Sequence, residues 1–273
     1  MNIFTASQRG EVENIRDLIQ SGRASASDRD PSNVTPLHWA AINARVEVCR
    51  YLLQQGAVVN ALGGDLMGTP MQWAAVKGYV PVVQLLIECG ADPNIVNLQG
   101  YNTLHLVTHS HSAEALRYIL RQAVNVDSRD PDGHTSLMWA AYQGDELSVK
   151  ILLEHGANVN AKSNNGLTVL HWAVVEGNPS CIRQLLEHGA ETNTKDDEGR
   201  TAQDMAVELE RLAAWGQALG GGRFRRRRST ASQCELKSSY LAIRASTNRI
   251  RRTPRSTSSY LRAIHGSRSV LQF

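Results

Sequence analysis

One short string recurs along this 273-residue chain at a nearly constant distance, and that recurrence restricts the fold more than any other feature. TPLHWAA begins at Thr35, TPMQWAA at Thr69, NTLHLVT at Asn102, TSLMWAA at Thr135, TVLHWAV at Thr168 and TAQDMAV at Thr201, with spacings of 34, 33, 33, 33 and 33 residues. A second pattern follows the first five: VCRYLLQQGAVVN, VVQLLIECGADPN, ALRYILRQAVNVD, VKILLEHGANVN and IRQLLEHGAETN. Each places apolar residues at helical spacing, and most then reach a Gly-Ala pair where a helix has to stop. An earlier partial unit, IFTASQRGEVENIRDLIQSG, aligns at an offset of 34. A unit of this size cannot cover its own apolar face, so each buries that face on its neighbours and stability accumulates along the stack.

A period near 33 with a T-P-L-H-x-A core resembles the ankyrin repeat, which implies a short turn plus two antiparallel helices per unit. The expected fold is an all-α solenoid of about six to seven helix-turn-helix repeats over residues 1–215, followed by a tail over residues 216–273. Individual residues fit this reading. The Thr of each string can cap the first helix, and Pro36 and Pro70 occupy first-turn positions where no amide bond is lost. Gly56, Gly90, Gly156 and Gly189 fall just past second helices, and Gly133, Gly166 and Gly199 fall in turns. The first unit starts almost at Met1 with no polar capping helix before it, so further sequence is expected on that side. At the other end Asp204, Glu208 and Glu210 make TAQDMAVELERLAAW polar enough to act as a cap.

Charge divides the chain. Residues 1–222 carry 16 basic and 25 acidic side chains, whereas residues 223–273 carry 13 basic and one acidic. The seam is GGGRFRRRRST, residues 220–230. The tail has many Ser and Thr and weak apolar periodicity, and reads as disordered. Its RFRRRR run could serve nuclear targeting or nonspecific contact with nucleic acid or anionic lipid. The favoured reading is a translated stretch outside the ancestral frame. No run of 18 apolar residues and no signal segment occurs, so no transmembrane segment is expected. Cys49, Cys89, Cys181 and Cys234 stand far apart without a CxxC pair, which suggests neither a zinc cage nor a disulfide framework and fits a reducing compartment.

No catalytic motif is present, and neither cofactor nor metal is expected. His38, His105 and His171 fill the His slot of TPLH, where the ring is expected to bond a neighbouring turn; Gln72 and Met138 take that slot elsewhere. His105, His109 and His111 form the one local histidine group, but no carboxylate or Cys joins them in sequence. Cys49 and Cys181 lie on apolar helix positions and read as core, while Cys89 at a helix end reads as exposed.

The tryptophans carry more. Trp39, Trp73, Trp139 and Trp172 hold the x of TPLHxA in four units. Such a row packs, yet in a stack the end of the first helix also faces the concave groove. The two positions after the small-residue pair vary freely: Ile42-Asn43, Val76-Lys77, Tyr142-Gln143 and Val175-Glu176. Aromatic rings beside tunable polar groups suit an extended peptide, so Asn43, Trp73, Trp39, Lys77 and Tyr142 form the expected peptide-binding set.

The ordered strings LHWAAIN, GGDLMGTPMQWAA, TSLMWAAYQGDELSV, LHWAVVEGN and EGRTAQDMAVELE look like the ankyrin domain of DHHC palmitoyltransferases, of the fungal Akr type and the animal Huntingtin-interacting class. That resemblance implies an ankyrin domain that recruits protein substrates and partners, with Asn43 and Trp73 lining its groove. The family's membrane helices and Asp-His-His-Cys motif do not occur here, so acyl transfer, which needs that cysteine, is not expected of this chain alone. The sequence thus reads as a monomeric interaction module for protein or peptide partners, without specific nucleic-acid binding. The alternative is a truncated portion of a palmitoyltransferase. A cytoplasmic location is expected, on the cytosolic face of Golgi or endosomal membranes if the chain belongs to a full-length enzyme.

Overall fold

A computed structural model describes residues 2–220; the basic tail with RFRRRR and Cys234 lies outside the described residues. Among the described residues, 14 helices run in seven pairs. The first helices of the pairs are α1 (Ile3–Arg9), α3 (Pro36–Ile42), α5 (Pro70–Val76), α7 (Thr103–His109), α9 (Ser136–Gln143), α11 (Val169–Glu176) and α13 (Ala202–Glu208). Each is followed by a second helix: α2 (Val12–Gln20), α4 (Val46–Gln54), α6 (Val80–Glu88), α8 (Ala113–Leu120), α10 (Glu146–Glu154), α12 (Pro179–Glu187) and α14 (Leu212–Ala218). First helices pack on first helices and second on second along the chain. The all-helical solenoid expected from the period is the fold observed.

The recurring Thr does what its position implies. Thr35, Thr69, Thr135, Thr168 and Thr201, with Asn102 in the fourth unit, each accept a backbone N–H from the first turn of the helix they start. Pro36 and Pro70 sit in that first turn, where their missing amide has no partner to lose. Between pairs the chain turns through a finger closed by isolated bridges such as Arg129↔Thr135 and Lys162↔Thr168. Gly133 shows why the turn is tight: its φ is +79°, and an added Cβ would collide with the Asn164 side chain of the next finger.

Small residues in the first helices let the units close up. Ala40, Ala41, Ala74, Ala75, Ala140 and Ala141 are fully buried, and Leu37, Leu52, Leu86, Leu104, Leu116, Leu137 and Leu185 fill one continuous core beside them. Cys49 and Cys181 belong to that core, and burial pushes both thiols up to about 12; Cys89 is exposed. Polar ties run between units as well. Asn60 and Asn160 each accept the backbone N–H of Asp92 or Glu191 one unit on, at 3.0 and 2.9 Å, and donate to the carbonyls of Gly90 and Gly189. In the last pair Asp204, Glu208 and Glu210 face outward while Trp215 is 1% exposed, an amphipathic end unit.

Candidate peptide groove

The constant period puts equivalent residues in rows. Four residues after each cap stand Trp39, Trp73, Trp139 and Trp172, on the side of the first helices that meets the fingers. What fixes their rings is a carboxylate the sequence reading passed over. Asp30 Oδ1 accepts the amides of Ser32 and Val34, shaping the finger, and Oδ2 accepts Trp39 Nε1 at 3.0 Å. Asp130 repeats this: Oδ1 takes the amides of Asp132 and His134, and Oδ2 takes Trp139 Nε1 at 3.2 Å and His134 Nδ1 at 3.1 Å. The signal was legible as an Asp nine residues before a Trp, occurring twice. Burial pushes the Asp130 carboxyl up, but hydrogen bonds from His134 and Trp139 together with the charge of His134 hold it below its ordinary value. In the sixth unit Ser163 takes that register and bonds Asn165 and Leu167, leaving Trp172 Nε1 with no protein acceptor. Asp130→Ser, which imitates this unit, is expected to lower stability by about 2–3 kcal/mol in urea unfolding, since it removes several bonds to one anion. A loss within 0.5 kcal/mol would show the carboxylate to be dispensable.

The five expected groove residues do not converge on one spot. Trp39 is half-buried, and its ring meets Trp73 edge-on at 5.8 Å and 88°. Asn43 caps the C-terminal end of α3, half-buried, with Nδ2 donating to the Trp39 carbonyl at 2.8 Å. Lys77 caps α5 at the same register one unit on, where a cation also suits the helix C-terminus. Trp73 departs from an exposed anchor: it is 0% exposed, packed with Val34 and Ile42 and against the His38 ring at 5.1 Å. Trp139 and Trp172 are buried too, at 6% and 2% exposed, so burial is the rule of this register; beside Trp73 the longer, glycine-rich finger of the 34-residue unit adds Leu66 to the cluster. Tyr142 lies two units beyond Lys77 in a different aromatic group. It stands edge-on to Trp172 at 5.4 Å and to Trp139 at 6.1 Å, continuous through Trp139 with Tyr101 and His109.

The histidines separate by role. His38 Nδ1 accepts from the Thr35 backbone and hydroxyl, so its proton sits on Nε2, which donates to the Gly68 carbonyl of the next finger at 2.9 Å. Burial drives its pKa down to about 4. His171 reaches the Arg200 carbonyl at 3.2 Å in the same way, and burial lowers it and His105 as well. His105, His109 and His111 diverge: the first bonds Asn102, the second lies tilted against Trp139 at 4.9 Å, and the third pairs with Asp145 at 3.1 Å.

Capped helix pairs stacked in register, with fingers stitched to one another, define a helical repeat protein. The family described as Ankyrin repeats (3 copies) matches residues 3–97, 71–163 and 160–214, and the chain belongs to that family. Its sequence is similar to the palmitoyltransferase akr1 of Schizosaccharomyces pombe, 50% identical over 145 residues that cover 53% of this chain and 23% of the relative. It is 51% identical over 152 residues to the palmitoyltransferase AKR1 of Saccharomyces cerevisiae, covering 53% and 20%. The chain therefore spans about a fifth of the length of the curated relatives it matches. Among solved structures, the ankyrin repeat domain of Bcl-3 superposes with a TM-score of 0.68 at 25% identity, covering 78% of this chain and 98% of that one. The human ASB11 ankyrin repeat domain does so with a TM-score of 0.70 at 26% identity, covering 78% and 97%. No helix among the described residues is long and apolar enough to cross a membrane.

Proposed function

We propose that this chain is a protein-interaction module that holds an extended, partly apolar peptide segment along its first helices. Trp39 and Asn43 form one contact, Lys77 the next and Tyr142 a third, with Trp73 as the floor beneath the first. The observation that carries this reading is that half-buried Asn43 and Lys77 hold one register and half-buried Tyr142 the register just before it, and that the side chains there change chemistry from unit to unit. Helices packed about 8–10 Å apart put Asn43 and Tyr142 roughly 25–30 Å apart over three units. An extended segment of about eight or nine residues spans that distance. The likeness to Akr palmitoyltransferases supports a protein substrate or partner as the source of the segment, brought to an S-acyltransferase on the cytosolic side of a membrane. The module acts as a monomer, and sequence-specific nucleic-acid binding is no part of this function.

The test is affinity selection of a random decapeptide library on the full chain. Selected decapeptides are expected to bind Asn43→Ala about tenfold more weakly, the loss of one well-placed hydrogen bond of about 1.4 kcal/mol, with the melting temperature little changed. A library in which nothing distinguishes the parent from Asn43→Ala removes the groove from this site.

A further inference from the structure

Trp73 is fully buried although it holds the same register as the half-exposed Trp39. Trp139 and Trp172 are also buried, at 6% and 2% exposed, but only Trp73 has the finger between α4 and α5 beside it. This is the finger of the longer unit, and it reads GGDLMG from Gly63 to Gly68. Gly63 and Gly68 exchange backbone hydrogen bonds at 3.0 and 3.1 Å, pinching the loop at its base. Inside the pinch Met67 has a φ of +50°, a left-handed conformation that a non-glycine residue adopts only at some cost. The loop so shaped lays Leu66 on the cluster of Val34, Ile42 and Trp73, beside Trp39 and Val76. Gly68 brings its backbone to the pyrrole edge of the ring, where an added Cβ would stand 3.1 Å from Trp73 Nε1.

This finger has no side-chain brace like Asp30 or Asp130, because Gly64 occupies the register of those carboxylates; it is held at its base by the Gly63–Gly68 pair and from the preceding unit by Ser32 and His38. Leu66 itself is tied outward through its carbonyl, which accepts from Leu98 N–H at 2.9 Å. Leu98 is 70% exposed and Leu62 is 36% exposed, so the finger tips beside Leu66 are already apolar and open. Leu66 is thus a side chain half out of water, on a loop with one left-handed non-glycine residue and no bracing carboxylate, packed at the edge of the small cluster that holds Trp73.

We propose that Leu66 is a displaceable internal stand-in for the ligand: it closes over Trp73 in the free protein, and a compact apolar side chain of the bound peptide takes its place against the ring. This rests on the peptide-groove reading and adds to it both a regulating element and the residue type the groove selects. The apparent affinity is then reduced by the population in which Leu66 covers the ring, and shortening Leu66 raises it.

The experiment uses the full chain with 15N-labelled tryptophan. Hydrogen exchange of the Trp73 indole is compared with that of Trp215, which is 1% exposed in the end unit. Exchange at Trp73 is expected to be at least tenfold faster than at Trp215, and a further tenfold faster in Leu66→Ala, with the backbone amides of Val34 and Ile42 unchanged. Leu66→Met, which keeps the volume, restores the parent rate. Decapeptides selected on the parent chain bind Leu66→Ala at least threefold more tightly. Equal, slow exchange at both indoles that ignores Leu66→Ala overturns the cover, as does weaker peptide binding by Leu66→Ala. If no decapeptide binds either protein while Trp73 exchange still responds to Leu66, the cover stands and the groove reading fails.

Discussion

Replacing Trp73 with alanine is expected to destabilise the fold by about 3–5 kcal/mol, the range for removing a large, fully buried aromatic side chain. The ring is 0% exposed and has Trp39, His38, Val34 and Ile42 against it, so truncation leaves a void between the second and third units that flanking helices cannot close without moving. In a solenoid each unit leans only on its neighbours, so the damage stays local. Amides of α3 to α6 are expected to exchange faster while those of α10 to α14 keep their protection. Urea unfolding with hydrogen exchange checks both points, and a cost under about 1 kcal/mol would mean that the ring is not the floor we describe. This result also bears on function. Lost binding in Trp73→Ala would report a damaged unit, so Trp39→Ala and Asn43→Ala are the cleaner probes of contact.

Acid is expected to loosen the stack from the inside, well before the carboxylates titrate. His38 is buried neutral with its pKa lowered from 6.5 to about 4, so between those values the unfolded chain takes up a proton that the folded ring refuses. Stability is therefore intact above pH 6.5 and falls as the pH drops toward 4. From pH 7 to 5 His38 alone accounts for about 2 kcal/mol by proton linkage. His105 and His171, lowered by burial in the same direction, add to it. His38→Gln should flatten this dependence and preserve the fold, because Gln72 already fills the equivalent slot. There the Gln oxygen accepts from the Thr69 amide while its Nε2 donates to the carbonyls of Ile95 and Tyr101. Chemical denaturation at pH 7.5, 6 and 5 reads the slope. A parent protein equally stable at pH 7.5 and 5 would contradict the buried, neutral assignment.

Most of the architecture was written locally. Thr at each cap, Pro in two first turns, apolar residues at helical spacing and glycines past the second helices determine where each helix begins and ends, because these effects act over a few residues. The constant period then determines that units stack, and the His slot predicted a bond to a neighbouring turn that His38 and His171 make. The same regularity placed Cys49 and Cys181 inside and Cys89 outside.

The character of the groove was decided elsewhere. Four tryptophans in one register look equivalent in sequence, yet Trp39 and Trp139 are held by Asp30 and Asp130, Trp172 lacks that acceptor, and Trp73 is fully buried in a small cluster with Val34 and Ile42. Of the four rings only Trp39 stays half-exposed, and the partners around each come from fingers whose sequences differ between units. Likewise Tyr142 shares its register with Ile42 and Val76 but stands edge-on to Trp139 of its own helix and Trp172 of the next unit. Sequence by itself determined the helices and their stacking because those rest on short-range chemistry repeated in register; which rings are buried and which polar groups stay accessible was settled only by contacts between units, where the repeats differ.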